Sequence, residues 1–183
     1  MTLRAVSRRL GVRLNTVSWH VKSKARLREL MADAIIAGVS LDGLPTDWRE
    51  RATVLSGRCR AALLARRDGA RLVAGTFTAE PATLRVAEAL LRALLDGGLP
   101  VRAAGWACWT VVSFVLGLAQ EQQGSPGPMA DVVGSALSPE KHPSLTPALP
   151  YLVDGAFETR FAFGLDLILD SAARLGSGGT DGE

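Results

Sequence analysis

Apolar side chains recur at intervals of three and four residues along almost the whole chain, which is the spacing of one face of an α-helix. No run alternates apolar and polar positions in the way that a half-buried strand does. Glycine and proline separate the apolar runs, as at Gly11, Gly43, Pro45 and Gly97. The pattern therefore predicts an all-α fold, and we find no internal repeat.

Caps and breaks set the boundaries of the predicted helices. Ser23 can cap a helix, Pro81 suits a first turn, and Gly97 suits a helix end. The segment 124–147 is rich in Gly, Pro and Ser and predicts a long loop, and 176–183 predicts a disordered tail. We expect helices over 2–10, 14–21, 24–39, 47–66, 70–76, 81–96, 101–122, 148–154 and 157–175.

Basic residues are concentrated at the start of the chain. Residues 1–30 contain eight Arg and Lys against Glu29 alone, a formal charge of +7, whereas the other 153 residues carry −4. A basic head (1–39, including a connecting helix) on a slightly acidic body (47–175) indicates an anionic partner at the head, most simply nucleic acid. The alternative is a solvated charged face.

The segment 103–120 contains no charged residue over 18 positions, which is just long enough to span a bilayer. It includes Gly, Ser, Thr and Gln, and charged residues flank it directly at Arg102 and Glu121. We expect a helix buried on most sides by other helices rather than a membrane span. No signal peptide opens the chain, so we expect a cytoplasmic protein, with a membrane-anchored one as the less favoured alternative.

The sequence lacks the residue patterns of common catalytic sites. It has no Cys/His pair, no G-x-S-x-G and no phosphate-binding loop, so we expect no enzyme, no cofactor and no metal site. Cys59 and Cys108 lie in apolar helical runs without metal-binding spacing, and we expect buried thiols.

The first two predicted helices, joined by a tight turn at Gly11, form a helix-turn-helix whose second helix would enter the DNA major groove. Val17 and Val21 would pack with Val6 and Leu10, and Trp19 would form a wedge against the following helix. Asn can pair with adenine, and an apolar tip can meet a thymine methyl group. The candidate DNA-binding residues are Thr2, Arg4, Arg13, Leu14, Asn15, Thr16, Ser18, Trp19, His20, Lys22 and Lys24.

The segment TLRAVSRRLGVRLNTVSWHVKSKARLRELM resembles the DNA-binding segment of the tetracycline-repressor (TetR) family, most specifically in WHVKSK, 19–24. The resemblance continues through LLARRDGARLVAGT, 63–76, and FAFGLDLIL, 161–169. It implies a homodimer that binds a palindromic operator with two heads and changes their separation when a ligand binds.

The same resemblance implies a further helix before Thr2 that would complete the core of the head. We therefore expect weak DNA binding by the chain as it stands, because Leu3, Val6 and Leu10 would lose a packing partner. Ser18 and Asn15 depart from the family's usual aromatic residue and Pro or Ala, which leaves the operator sequence open.

The resemblance also implies dimerisation through the helices 101–122 and 157–175. Trp106, Trp109, Val112 and Leu116 recur at helical spacing in the first, as do Phe157, Phe161, Leu165 and Ile168 in the second. These residues could instead form the core of one subunit. The candidate ligand-binding residues, by position along the resemblance, are Leu55, Cys59, Val73, Phe77, Val86, Leu90, Trp109, Val112, Ser113 and Glu121.

Tetracycline-binding members of the family use histidine and arginine where this chain has Val73 and Phe77, and a histidine where it has Ser113. Only Glu121 matches, so we expect a small, largely apolar effector rather than a magnesium–tetracycline complex. The sequence predicts a ligand-responsive repressor. A ligand-binding dimer without DNA-binding activity is the alternative.

Overall fold

The computed structural model describes residues 2–76, 79–124, 130–153 and 155–177, and every regular element within these ranges is an α-helix. The predicted all-α fold is therefore confirmed. The helices are α1 (Leu3–Leu10), α2 (Leu14–His20), α3 (Lys24–Ile36), α4 (Trp48–Leu64), α5 (Gly69–Ala74), α6 (Pro81–Asp96), α7 (Val101–Gly124), α8 (Ala130–Ala136), α9 (Leu145–Val153) and α10 (Phe157–Ser177).

Local caps are present at the ends of the helices, including the one predicted at Ser23. The Ser23 hydroxyl accepts a hydrogen bond from the backbone N–H of Arg26 at 3.0 Å. The Asp47 carboxylate accepts one from Glu50 at 2.8 Å. Gly11 ends α1 at φ +66°, a conformation that side chains other than glycine rarely adopt. Local chemistry therefore sets where these helices begin and end.

The predicted long loop 124–147 is partly wrong, because α8 and the start of α9 lie within it. The two short helices pack against each other, and Gly134 lies close to the Leu149 side chain. The His142 carbonyl accepts the backbone N–H of Thr146, which opens α9. Pro147 lies in the first turn of α9, where a missing N–H is tolerated. The end of the chain also differs, since α10 runs on to Ser177 and the rest of the predicted tail lies outside the described residues.

The core of the body forms where α4, α6, α7 and α10 pack together. Each buried leucine there contributes roughly 1.5–3 kcal/mol relative to an exposed one. Its most deeply buried leucines are Leu55, Leu63, Leu94, Leu165 and Leu169, none more than 1% exposed.

Helix α7 has one face buried in the core and one apolar face exposed to solvent. Val111 and Val115 are buried in the core, whereas Trp106 and Trp109 are 61% and 60% exposed. The expectation that this helix is buried on most sides is wrong for the described chain, because 22% of its most apolar 18-residue window is buried. By length and composition alone α7 could cross a membrane, as could the core helix of many soluble proteins.

Helix α3, the connecting helix of the head, follows α1 and α2 and packs on α4, α5 and α6 of the body. The Asp33 carboxylate accepts the backbone N–H of Thr83 at 2.8 Å and its hydroxyl at 2.9 Å. It also accepts the backbone N–H of Ala82 at 3.4 Å. An α3 side chain thus satisfies the N-terminal N–H groups of α6, which have no partner within their own helix.

An ion pair joins α3 to the residue before α6 about two turns of α3 nearer the head. Both terminal nitrogens of the Arg26 guanidinium donate to the Glu80 carboxylate, which precedes α6, and one also donates to Glu29 at 3.0 Å. These carboxylates, Glu80 foremost, raise the pKa of Arg26 above its usual range. We call the contacts of Arg26 and Asp33 with Glu80, Ala82 and Thr83 the α3–α6 link.

Gly69 lies where α5 begins, beneath the end of α4. A Cβ at this position would collide with the Leu63 carbonyl oxygen and approach the Arg66 Cβ to 3.2 Å. Backbone cannot move aside cheaply, so we expect Gly69→Ala to lower the free energy of unfolding by about 1–3 kcal/mol in urea denaturation.

Gly57 in the middle of α4 is the matched control, because nothing lies within 4 Å of its added Cβ. Gly57→Ala should leave stability unchanged or raise it by up to about 1 kcal/mol. Equal stability of the two variants would contradict the packing at Gly69.

The α3–α6 link should contribute measurably to stability. Asp33→Ala leaves the first N–H groups of α6 without their acceptor, and we expect a loss of about 1–2 kcal/mol in the free energy of unfolding. The control is Glu88→Ala on the exposed side of α6, which should change stability by less than about 0.5 kcal/mol. A loss no larger for Asp33→Ala than for Glu88→Ala would show that the link is not stabilising.

Candidate functional site

The head presents one edge of α2 to solvent. Arg13 precedes α2 in an extended conformation, and the side chains of Asn15, Thr16 and Ser18 are exposed beyond it. Val17, 7% exposed, lies on the opposite side and packs α2 on α1. This geometry suits a helix that is held from behind and contacts a partner with its first turns.

Two predictions about packing in the head are wrong. Trp19 is 80% exposed and so is no wedge against α3, because it lies about 200° around α2 from the buried Val17. Leu10 is 65% exposed, since none of the described helices covers the last turn of α1. The small core of the head is formed by Val17 together with the half-buried Leu3, Val6 and Val21.

Exposed cations surround the α2 edge. Arg4, Arg13, Lys22 and Lys24 are all exposed, and within the described residues none of them forms an ion pair. Thr2 caps α1, where its hydroxyl accepts the backbone N–H of Ala5. Leu14 is half-buried, and the side chain of His20 lies outside the described part of the chain. The head therefore offers uncompensated positive charge beside hydrogen-bonding side chains.

Six of the predicted ligand residues lie in or against the core of the body. Leu55, Val86 and Leu90 are buried, and Cys59, Val73 and Val112 are half-buried. Burial raises the pKa of the Cys59 thiol to about 12, and nearby Cys108 adds to the shift. Both thiols are free and neutral near pH 7, so this region is apolar in character.

The remaining predicted ligand residues do not join this group within one chain. Trp109 and Ser113 lie on the exposed face of α7, about 200° from the buried Val111. Glu121 is exposed as well, and Phe77 lies outside the described residues.

Glu121 is held by an arginine. The terminal nitrogens of Arg160 donate to its two carboxylate oxygens at 2.7 and 2.8 Å. This pairing lowers the pKa of Glu121. Both oxygens of the carboxylate are thus engaged within the chain.

The predicted dimer helices divide their apolar residues between two environments. Phe161 and Leu165 of α10 are buried in the core of the same chain, and the Phe161 ring stacks on Phe114 with 6.0 Å between centroids. Trp106 of α7 and Leu167 of α10 are exposed and line a groove of about 740 Å³ between the two helices. Core packing and an outward apolar surface therefore coexist on these helices.

Sequence reasoning missed two charged features of the body. Arg60 is buried, donates to Glu158 and to Gln122 at 2.9 Å, and lies 5.0 Å from the Phe161 ring centre. A second groove, of about 780 Å³, opens between α3 and α5. The only signal for it in the sequence is the helical spacing of Lys24, Arg28 and Met31. Neither groove is lined by any of the nine predicted ligand residues that the structure describes.

No group of three or more His, Cys, Asp or Glu side chains that could hold a metal ion occurs among the residues that the structure describes.

Comparisons with known proteins agree with this architecture. Residues 43–173 match the family model described as the tetracyclin repressor-like, C-terminal domain. The chain is 32% identical to the tetracycline repressor protein class C of Escherichia coli, over 96% of this chain and 82% of that protein.

Two solved structures extend the likeness to the head. One is a possible TetR family transcriptional regulator from Streptomyces coelicolor A3(2), with a TM-score of 0.82 and 32% identity over 96% of this chain and 90% of that one. The other is BioQ with its double-stranded DNA operator, with a TM-score of 0.69 and 25% identity over 94% and 86% of the two chains. With a family model that covers most of the body and relatives that align along nearly the whole chain, this protein belongs to the TetR family of transcriptional regulators.

Proposed function

We propose that this protein is a transcriptional repressor that binds a palindromic operator as a homodimer and releases it when a small, largely apolar effector binds the body. The observation that carries the proposal is the exposed edge of α2, with Arg13, Asn15, Thr16 and Ser18, on a head of formal charge +7 over residues 1–30. A protein with this role acts in the cytoplasm, as a regulator rather than as an enzyme.

In this proposal α2 enters the major groove. Asn15 can pair with adenine through both atoms of its amide, and Thr16 and Ser18 can contact base edges. Arg4, Lys22 and Lys24 provide cations for backbone phosphates, which supply affinity without sequence preference. Trp19 is exposed beside these cations, where its side chain can contact the DNA backbone. The structure of BioQ with its operator supports DNA binding by a chain of this architecture.

The apolar groove between α7 and α10 supports the homodimer. Trp106, Leu167 and Leu175 line this groove, and each exposes more than half of its surface. Burying large apolar side chains is favourable, and two copies of the same helix pair can pack as a four-helix bundle. In such a dimer α7 loses most of the exposure that it has in one chain, which also removes the reason to place it in a membrane.

The proposed effector site lies among Leu55, Cys59, Val73, Val86, Leu90 and Val112. Its apolar lining and neutral thiols suit a hydrophobic or aromatic molecule. Binding of a metal–drug complex is disfavoured because Arg160 occupies both oxygens of Glu121, and Ser113 offers no imidazole. Trp109, Ser113 and Glu121, exposed in one chain, could reach an effector only across a dimer interface.

Release of the operator requires that the effector bind one arrangement of the two heads, the one that cannot bind DNA, more tightly than the DNA-binding arrangement. A hundredfold loss of operator affinity corresponds to about 2.7 kcal/mol of coupling between the two sites. Helix α3 is the element that can transmit it, because it carries the head and is tied to the start of α6 by the α3–α6 link. The segment entering α6 follows Val73, one of the proposed effector residues.

The experiment that tests DNA binding is fluorescence anisotropy of DNA from upstream of the gene, with scrambled DNA for comparison. The chain and an N-terminally extended version are each titrated at two salt concentrations. We expect specific, salt-sensitive binding by the extended version. Asn15→Ala should cost about 1–3 kcal/mol and relax the sequence preference, and Lys22→Gln should reduce the salt slope by about 0.9.

Arg92→Gln, at an exposed position on α6, is the control and should change neither quantity. If neither version prefers the upstream DNA to scrambled DNA, operator binding at this locus is refuted. The alternative function, a ligand-binding dimer without DNA-binding activity, would then be favoured.

The dimer has its own test. Leu167→Asp places a carboxylate on the exposed side of α10, where one chain tolerates it but an apolar interface does not. We expect the dimer dissociation constant to rise at least about a hundredfold, since an unpaired buried charge costs several kcal/mol. Sedimentation velocity measures it, with Leu84→Asp on the exposed side of α6 as the control. A Leu167→Asp protein that remains as dimeric as Leu84→Asp would place the interface elsewhere.

A further inference from the structure

The groove between α3 and α5 lies at the junction of head and body, and α5 also carries Val73 of the proposed effector site. One wall is the face of α3 with Lys24, Arg28 and Met31, which are spaced by four and three residues. The opposite wall is α5 with the turn before it, including Arg71 and Leu72. Its volume of about 780 Å³ is in the range of sites for small molecules.

The charge of this groove is strongly unbalanced. Four cations line it, Lys24, Arg28, Arg67 and Arg71, against the single carboxylate of Asp68. Asp68 lies 3.7 Å from Arg67, at the only ion pair that these five residues form within the described part of the chain. Lys24, Arg28 and Arg71 therefore lack a carboxylate partner there and converge on one concave surface. Such convergence favours an anion, because it relieves the repulsion among the three cations.

About half of the groove surface is apolar. Met31, Leu72 and Ala74 contribute it, and Met31 and Leu72 are half-buried. Methionine adapts its shape to different apolar groups. A ligand that fills this groove therefore combines a negative group with a compact apolar part.

We propose that the groove between α3 and α5 binds a small organic anion, a carboxylate or phosphate ester with an apolar group, through Arg28 and Arg71. The acidic group lies between the two guanidinium groups, which can each donate two hydrogen bonds to it. The apolar part lies on Met31 and Leu72. Val73 of the proposed effector site neighbours this groove on α5 but does not line it. The proposal does not depend on the role of the protein in transcription.

The shape of the groove favours a small anion over the phosphates of DNA. Phosphate contacts to a duplex need no apolar surface beside the cations. Here Arg28 and Arg71 line a groove that Met31 and Leu72 also line. Lys24, at the first residue of α3, is the one cation of the groove that also belongs to the proposed DNA-binding set, so the test relies on Arg28 and Arg71.

The test is isothermal titration calorimetry of the full chain with octanoate, benzoate and phenyl phosphate, each below any micelle-forming concentration. 1-Octanol and benzyl alcohol are the neutral counterparts, and acetate is the anion without an apolar part. We expect saturable binding of at least one of the three amphipathic anions, at one molecule per chain. The neutral compounds and acetate should bind at least about tenfold more weakly.

Arg28→Gln and Arg71→Gln should each weaken binding of that anion about tenfold, because each removes a charged hydrogen-bond donor. Arg92→Gln on α6 is the matched control and should bind it as the unaltered chain does. Circular dichroism and urea denaturation check that the variants fold, which is expected because Arg28 and Arg71 are exposed.

Three results would overturn the proposal. The first is the absence of saturable binding of all three anions. The second is binding by the Arg28→Gln and Arg71→Gln variants with the affinity of the unaltered chain, which would assign the ligand to the apolar core or to the α7–α10 groove. The third is a reduced salt slope of DNA binding in both variants without any loss of anion binding, which would assign these arginines to DNA phosphates.

Discussion

The position of the head depends on how α3 is held against the body. Asp33 accepts hydrogen bonds at the N-terminus of α6, and Arg26 pairs with Glu80 just before it. Without these contacts α3 would rest on Ile35, Ile36 and Val39 at its far end, and its first two turns would have no specific anchor. The small head could then adopt several orientations, and a dimer could not present two recognition helices at a fixed separation. The polar contacts between α3 and the start of α6 therefore fix the direction in which α3 projects from the body.

The second constraint is the division of α7 and α10 into an inner and an outer face. Val111, Phe161 and Leu165 close the core of one chain, and Trp106 and Leu167 remain outside. A helix with apolar residues on both sides cannot be satisfied by one subunit, because solvent would cover one of its faces. The same property accounts for the membrane-like composition of α7. The charge-free sequence of this helix thus reflects an inner face that is buried in the core and an outer apolar face that is exposed in one chain.

Much of the fold could be predicted from local signals in the sequence. Ser23, Asp47, Pro81 and Gly97 mark helix ends through hydrogen bonds and backbone conformations that involve only neighbouring residues. The short helices α8 and α9 could not be predicted in this way, since their packing on each other, not their composition, stabilises them. It was harder still to predict which side chains of the head are exposed. Trp19 and Leu10 have the composition of core residues, and only the crossing of α1 and α2 shows that they are exposed.

The pairing of Glu121 shows why a matching residue need not keep a matching role. At the level of sequence Glu121 is the one polar residue shared with the tetracycline-binding set. In the structure Arg160 takes both of its oxygens, and the Arg160 guanidinium also lies 5.3 Å from the Phe157 ring centre. A ligand that used Glu121 would have to displace this arginine from both carboxylate oxygens, which opposes binding. Glu121 is therefore already engaged within the chain, whereas the residues around Cys59 are apolar and buried or half-buried.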